Sequence, residues 1–464
     1  MNNNTLWSLR LGFSNKQEKV IEKSGIAKFL EDSFNSKFDT SIPDFLKDSP
    51  KSLEEFKAIR KNRKEATEEE KKQFLKKEIS TSLEMKGWWI DKMITNDLPL
   101  LEKMTCFWHN HYVSTYQKVK VNYWIFQHNQ ILRENAFGNF KDLTKKMIKS
   151  NAMVRYLDNT DNRKGKLNEN LSRELLELFT LGIGNYTEND IKNGAKGLAG
   201  LGIGDENAIY RKIFEDPEPF DYLGKNGSFK IEEMIDIIFE QKNIPYLLTR
   251  KILKWFIYDN PSEDLVNYYG DYFRKVDFEI KPLLTRIFTE EFAKNTAGSK
   301  IKNPIEYTLQ LVDELNNKTI KSKLISIFIK QQGMDLFNQP NVKGWDGGNN
   351  WLTSQIYLQR NNAADLLCSG KNLNRAKKAE NDSEMMSENQ ENSSKLDLKW
   401  SKNGNNKTII SELKKRLLFQ VDEATQKDFE AILKYDFNPE AQNADQAVLR
   451  LFNAMVKLPE YQLI

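Results

Sequence analysis

The chain has 464 residues, of which 39% are hydrophobic, and this is enough apolar material for one large core or two smaller ones. Its 70 Lys and Arg residues nearly balance its 66 Asp and Glu residues, and the formal net charge of +4 argues against a dedicated nucleic-acid-binding protein. Two cysteines exclude a disulfide framework, and the lack of a signal-peptide pattern and of any apolar run near about 18 residues predicts a cytoplasmic chain without a membrane span.

Helical periodicity is the dominant pattern along the chain. Apolar residues recur three or four positions apart, and no series of alternating strands separated by turn residues is visible. The clearest helical segments are residues 122–135, 231–241, 245–258 and 282–292. Because no repeat of about 20 to 50 residues occurs, a solenoid is not indicated. We therefore predict an all-α protein, a large multi-helix globular body with long loops.

Composition divides the chain into three parts. Residues 1–369 form the main helical body and carry all the motifs discussed below. Residues 370–407 are rich in Asn, Lys, Ser and Glu and have few large apolar side chains, which predicts a flexible polar linker or insertion. Residues 408–464 return to helical periodicity, and we predict that this C-terminal segment packs back on the body.

All three histidines of the chain lie close together, and two of them belong to the motif FWHNHY at residues 107–112. Imidazole binds transition metals, so His109 and His111 are candidate ligands of a divalent metal. Residues two apart on a helix point about 200° apart, so both can bind one ion only if the helix ends or bends between them. In the alternative interpretation, His111 is a hydrogen-bonded core residue and His109 is exposed.

The segment NENLSRELLELFTLGIGNYTEND, residues 168–190, predicts an acidic helix that Gly182 ends. Arg173 lies four residues from both Glu169 and Glu177, so it can bridge the two carboxylates, with Glu174 beside them. These charged side chains either stabilise one packing arrangement or project into a cleft. In a cleft, the carboxylates can bind a cation together with the histidines, or they can act as general acid and base. The candidate catalytic residues are Glu169, Glu174 and Glu177, and the candidate binding residues are Asn168, Arg173, Glu188 and Asp190.

The segment NQPNVKGWDGGNNWL, residues 338–352, is a structured loop rather than a helix. Its glycines permit tight turns and close approach of the main chain, and it lacks the spacing of a phosphate-binding fingerprint. Its tryptophans can offer apolar surface to a ligand or anchor the loop in the core. The candidate binding residues in this loop are Lys343, Trp345, Asp346 and Trp351.

Several motifs in the same order resemble the bacterial family called domain of unknown function 1800. The resemblance covers nearly the whole chain through LWSLRLGFS, EKMTCFWHNHY, LRENAFGNF, YLDN, NENLSRELLELFTLGIGNYTEND, NPIEY, NVKGWDGGNNWL and PEYQL. The activity of that family is not established. The resemblance implies a co-encoded partner from a second family, domain of unknown function 1501, which is similar to the alkaline phosphatase and sulfatase group.

The sequence leaves open whether the protein is an enzyme. A non-catalytic binding or accessory protein that works with the co-encoded partner fits the helical body, the tryptophan-bearing loop and the incomplete catalytic set. The alternative is a metal-assisted or acid-base hydrolase that uses the His and Glu cluster. We predict the binding protein first, and keep a divalent metal as the candidate cofactor of the alternative.

Overall fold

The computed structural model describes residues 1–317, 320–369 and 396–464. It confirms the all-α prediction, because the described residues form 22 α-helices and four strands of only two or three residues each. Most of the helices pack around one large hydrophobic core, and they do not form a solenoid. Among the described residues, no helix is long and apolar enough to cross a lipid bilayer.

The first twelve helices build the N-terminal half of the fold. They are α1 (Asn3–Leu11), α2 (Glu18–Ser24), α3 (Ile26–Phe34), α4 (Leu53–Glu65), α5 (Glu68–Thr95), α6 (Leu100–His111), α7 (Tyr116–Val119), α8 (Asn122–Glu134), α9 (Phe140–Ile148), α10 (Asn151–Tyr156), α11 (Asn170–Glu174) and α12 (Glu188–Gly197). Helix α6 is central, since α3, α5 and α8 pack against it and every one of its residues except Asn110 is buried.

Two antiparallel hairpins follow, and ten further helices complete the described fold. The strands are β1 (Leu201–Gly202), β2 (Ile209–Tyr210), β3 (Phe220–Tyr222) and β4 (Lys225–Gly227), paired β1 with β2 and β3 with β4. The helices are α13 (Ile231–Phe239), α14 (Ile244–Phe256), α15 (Glu263–Lys275), α16 (Ile280–Phe292), α17 (Pro304–Glu314), α18 (Ser322–Gln331), α19 (Ser354–Cys368), α20 (Asn406–Leu417), α21 (Glu423–Ile432) and α22 (Ala444–Val456). The four segments with the clearest periodicity correspond to α8, α13, α14 and α16.

The C-terminal helices form a second hydrophobic core against α17 and α19. Leu311 and Ala364 of the body are buried in this core together with Leu413 of α20 and Phe452 of α22. The end of the chain also reaches the body through its main chain. Lys300 and Ile464 exchange two hydrogen bonds of 3.0 and 2.8 Å. The C-terminal segment therefore shares hydrophobic and main-chain contacts with the body.

The predicted linker, residues 370–407, is described only at its C-terminal end. Residues 370–395 lie outside the described residues, but residues 396–407 are described. Within them, the side chains of Leu398 and Trp400 are buried in the second core, and the indole of Trp400 donates a 2.8 Å hydrogen bond to Asp445 of α22. Composition alone did not show this, because two anchoring side chains among many polar residues are enough to pack a segment.

A buried ion network joins the start of the chain to its centre. The ammonium group of Lys103 on α6 donates to the carbonyl oxygens of Leu9 and Gly12, each at 2.7 Å, and pairs with the Glu306 carboxylate at 2.8 Å. Lys300 pairs with the same carboxylate at 2.9 Å. Burial raises the pKa of Glu306, but the two lysines outweigh it and hold that pKa at about 2. The motifs LRLGF, EKMT and NPIEY therefore meet around the ion pair of Lys103 and Glu306.

The closing motif PEYQL is held by a neighbouring set of buried cations. Arg360 of α19 donates to the side-chain oxygen of Gln462 and to the carbonyl oxygen of Lys302, both at 3.0 Å. The ammonium group of Lys302 donates to the carbonyl oxygen of Tyr461 and lies over its ring. Because all these side chains are buried, the end of the chain is fixed by polar contacts as well as by apolar packing.

Candidate functional site

The motif FWHNHY forms the last turn of α6, and His111 attaches this turn to the acidic helix. Its Nε2 atom lies 3.1 Å from the carbonyl oxygen of Phe179, and its Nδ1 atom lies 3.2 Å from the Nζ atom of Lys251 on α14. A carbonyl can only accept, so Nε2 carries the proton and Nδ1 accepts from the lysine. Lys251 also donates to the carbonyl oxygen of Leu178 at 2.8 Å. His111 and Lys251 thus satisfy carbonyl groups near the end of that helix.

Asn110 attaches the same turn to the glycine-rich loop. Its side-chain oxygen accepts a 2.7 Å hydrogen bond from the main-chain nitrogen of Trp345. Gly344, just before it, has a φ of 85°. A Cβ atom at this glycine would lie 2.6 Å from the carbonyl oxygen of Asn110. Only glycine lets the loop approach α6 this closely.

His109 is buried, which corrects the interpretation that it is exposed. The side-chain nitrogen of Gln339 donates to the Nδ1 atom and to the carbonyl oxygen of His109, both at 3.1 Å. The rings of Trp89 and Phe337 cover the imidazole on the face of α6 that the helical pattern assigns to solvent. The helix is buried on all sides, so periodicity could not distinguish its faces.

The structure does not bring His109 and His111 together around one position. Helix α6 runs without a break to His111, so the two imidazoles diverge. In both rings the Nδ1 lone pair accepts a hydrogen bond. The Nε2 atom of His128 donates to the carbonyl oxygen of Tyr112 at 2.7 Å, and its Nδ1 atom lies 3.4 Å from the hydroxyl of Ser150. The described residues contain no group of three or more His, Cys, Asp or Glu arranged to hold a metal ion. The metal prediction therefore gains no support from this geometry.

The acidic helix contains an unforeseen change of helical type that alters its ion pairs. After α11 the helix continues as a π-helix, Leu175–Thr180, and ends where Gly182 takes a φ of 84°. Arg173 pairs with Glu169 at 3.2 Å, as its spacing predicts, but its second partner is Glu188 at 2.9 Å. The prediction that it bridges Glu169 and Glu177 is wrong, because the wider π-helical turn moves Glu177 out of the four-residue register. Glu177 accepts a 2.8 Å hydrogen bond from the hydroxyl of Tyr186 instead.

Two of the candidate binding residues in this segment stabilise local structure. Asp190 caps α12 by accepting from the main chain of Thr187 at 2.8 Å, and its other oxygen accepts from the main-chain nitrogen of Leu223 at 2.8 Å. Asn168 accepts from the main-chain nitrogen of Asn170 at 3.0 Å at the start of α11. Their side chains are therefore engaged in turns and caps.

Glu174 is the candidate catalytic carboxylate whose environment is most altered. Partial burial raises its pKa, and the nearby charge of Glu177 raises it further, whereas Arg173 and Lys343 lower it. The charge of Glu174 in turn helps to raise the pKa of Tyr156 on α10. Glu174, Tyr156 and Lys343 are thus electrostatic neighbours, which connects the acidic helix to the glycine-rich loop and to α10.

The four candidate residues of the glycine-rich loop divide into two buried and two exposed side chains. Trp345 and Trp351 are buried, and Trp351 packs edge-on against Trp255 of α14. Lys343 and Asp346 are exposed. The tryptophans therefore anchor the loop, and they do not present an open stacking platform.

A groove of about 560 Å³ opens beside this junction. Its walls come from α7 with its flanking residues, from the end of α10, and from the start of the glycine-rich loop. The described residues that line it are Thr115, Gln117, Lys118, Lys120, Arg155, Tyr156, Asp158, Gln339 and Pro340. Two contacts fix the walls: Tyr116 donates its main-chain N–H to the carbonyl oxygen of Phe337 at 3.1 Å, and Lys118 pairs with Asp158 at 2.7 Å.

The groove carries two cations without a counter-charge. Lys118 is paired with Asp158, but the side chains of Arg155 and Lys120 form no ion pair or hydrogen bond with any described residue. Sequence reasoning missed these residues, because they come from segments that only the tertiary structure joins. The available signal was the KVK triplet at residues 118–120, five residues after FWHNHY, and the arginine directly before YLDN.

Acid should destabilise the protein through its buried histidines. Burial lowers the pKa of His128 to about 4 from an ordinary value of 6.5, and it lowers the pKa of His109 and of His111 as well. The unfolded chain then binds protons that the folded chain does not, so this stabilisation is complete above about pH 6.5 and is lost as the pH falls towards about 4. Urea unfolding at closely spaced pH values measures the effect. We expect His128→Gln to reduce the slope of unfolding free energy against pH by about one proton, and equal slopes would contradict this account.

One family model matches the chain, over residues 6–463, and its description is "Protein of unknown function (DUF1800)". No curated protein matches the chain, and no solved structure matches it. The matched range contains the central helix, the acidic helix, the glycine-rich loop and the closing motif. Every segment that builds the groove therefore lies inside the family match.

Proposed function

Because the chain belongs to this family, whose function is unknown, we propose from its geometry that it is a non-catalytic binding protein that holds a small polar ligand in the groove. The observation that carries the proposal is the set of uncommitted polar side chains in the groove walls. Arg155, Lys120 and Gln117 have no side-chain partner among the described residues. Such convergent polar groups in a concave site are typical of ligand recognition.

The structural roles of the motif residues support binding rather than catalysis. The histidines and Asn110 use their side chains to hold the loop and the acidic helix in place. Among the described residues that line the groove there is no histidine, cysteine or glutamate to act as an activated nucleophile or base. The motif residues thus serve to position the groove walls, and the groove itself offers charge and hydrogen bonds.

We propose that the protein acts as an accessory protein of the co-encoded partner that the family resemblance implies. The support for this part is the resemblance alone. Analytical ultracentrifugation of the two purified proteins, separately and mixed, measures whether they associate.

A hydrolase is the second candidate function, and one observation favours it. Glu174 is half-buried with a raised pKa, whereas Glu177 accepts a hydrogen bond from Tyr186 and lies close enough to act on Glu174 electrostatically. Two carboxylates in different environments are suited to acid and base roles. Turnover that stops in Glu174→Gln would be the evidence for it.

The binding proposal is tested by ligand-observed NMR with a library of small polar fragments. We expect a subset of fragments to bind the wild-type protein, to lose binding in Gln117→Trp, whose indole obstructs the groove, and to be recovered chemically unchanged. Gln73→Trp, at an exposed position of α5, is the matched control and should bind like the wild type. Binding that persists in Gln117→Trp, or no binding to the wild type, would overturn the proposal. Fragments that are hydrolysed would replace it with the second candidate.

A further inference from the structure

We propose that the ligand of the groove is a phosphate monoester of a small polyhydroxylated compound, with its phosphate bound by Arg155 and Lys120. This inference rests on the proposed binding function and specifies the chemical class of the ligand. It depends on the charge of the groove, on how the two cations are presented, and on the polar groups that surround them.

The charge of the groove matches that of a phosphate monoester. Its lining contains three cations and one carboxylate, and the carboxylate of Asp158 is paired with Lys118 at 2.7 Å. Two positive charges, on Arg155 and Lys120, are therefore left without a counter-charge among the described residues. A phosphate monoester carries about −1.5 to −2 charges near neutral pH.

Both cationic side chains extend from main chain whose position is fixed by burial or by a hydrogen bond. All residues of α10 except Arg155 are buried, so this arginine is the one side chain of the helix that is directed away from the core. Lys120 ends α7 with a left-handed φ of 59°, and its main-chain N–H donates to the carbonyl oxygen of Tyr116 at 2.8 Å. A guanidinium binds phosphate through two parallel hydrogen bonds, and an ammonium adds a compact charge.

The remaining walls suit hydroxyl groups. A volume of about 560 Å³ is far more than one phosphate group fills. The side chains of Thr115 and Gln117 have no hydrogen-bond partner in the described part of the chain, and each can donate and accept. Gln339 is buried, and its side-chain oxygen is unpartnered there as well. Because the lining has no large aliphatic side chain, an ester with a long acyl chain has no apolar surface to bury.

Isothermal titration calorimetry with glycerol 3-phosphate, at constant ionic strength set by sodium chloride, tests the inference. We expect saturable binding of this probe, no binding of glycerol, and weaker binding of inorganic phosphate. Arg155→Gln should weaken the affinity by at least about tenfold, and Arg155→Gln combined with Lys120→Gln should abolish binding. The melting temperature of each unliganded variant should stay at the wild-type value. Lys72→Gln, an exposed lysine of α5, is the matched control and should not change the affinity.

Three results would overturn the inference. They are equal binding of glycerol and glycerol 3-phosphate, unchanged affinity in Arg155→Gln, and inorganic phosphate binding as tightly as the ester, which would leave an anion site without hydroxyl recognition. If fragments bind the groove and are lost in Gln117→Trp while glycerol 3-phosphate does not bind, the inference fails and the proposed function stands. If neither the fragments nor the probe bind, both fail.

Discussion

Glu306→Gln is expected to lower the free energy of unfolding by about 3 to 5 kcal/mol, because it leaves buried ammonium groups without their counter-ion. The carboxylate is fully buried and pairs with Lys103 at 2.8 Å and with Lys300 at 2.9 Å. It also accepts from the main-chain nitrogen of Asn303 at 2.8 Å, so the substitution disturbs the start of α17 too. Two cations then remain in a region that excludes water, and their mutual repulsion is no longer balanced.

Urea unfolding at pH 7 measures this loss. The matched control is Glu232→Gln, which removes a carboxylate paired with Lys149 and Lys145 on a half-exposed surface. Its effect should be small, because water screens both partners. A loss for Glu306→Gln no larger than that of the control would show that the network contributes little to stability.

The central helix shows both the success and the limit of sequence reasoning. The helical interpretation of FWHNHY agrees with the structure, in which α6 runs from Leu100 to His111. The exposure assigned to His109 was wrong, because α6 is covered on every side and no sequence pattern separates its faces. Periodicity identifies a helix with one buried stripe more reliably than a helix that is surrounded.

In the acidic helix, a local change to π-helix makes ion pairs predicted from residue spacing unreliable. Arg173 and Glu169 pair as their spacing of four predicts, since both lie where the chain is still α-helical or entering the helix. Glu177 lies inside the π-helix, where the register of an α-helix no longer holds. Its carboxylate accepts a hydrogen bond from the hydroxyl of Tyr186 instead. The carbonyl oxygens of Phe179 and Leu178 in the π-helix contact His111 of α6 and Lys251 of α14, and residue spacing does not reveal these contacts.

The groove could not be found from spacing at all. Lys120, Arg155 and Gln339 come from three separate segments, which are brought together by tertiary contacts, among them those of α6 and Tyr116 with the loop and that of Lys118 with Asp158. The sequence did identify FWHNHY and the glycine-rich loop as unusual. These motifs position the groove walls, however, and apart from Gln339 and Pro340 of the loop the side chains that line the groove come from residues outside both motifs.

Gly344→Ala is expected to produce the second large loss, about 2 to 4 kcal/mol, from two causes that act together. The φ of 85° lies in the region that disfavours a Cβ atom. The new methyl group would also lie 2.6 Å from the carbonyl oxygen of Asn110 and closer still to its side-chain oxygen. The loop then has to move away from α6, which breaks the hydrogen bond from Trp345 to Asn110.

Gly348→Ala separates the two causes, because Gly348 has a φ of 55° but its Cβ atom would meet nothing closer than 3.8 Å, at the carboxyl group of Asp259. Its loss should be about 1 to 2 kcal/mol, from the main-chain conformation alone. Since the loop supplies Gln339 and Pro340 to the groove, Gly344→Ala should also weaken fragment binding in the NMR assay, whereas Gly348→Ala should leave it intact. Equal stability losses for the two variants, with binding unchanged in both, would mean that the contact between Asn110 and the loop neither stabilises the fold nor positions the groove.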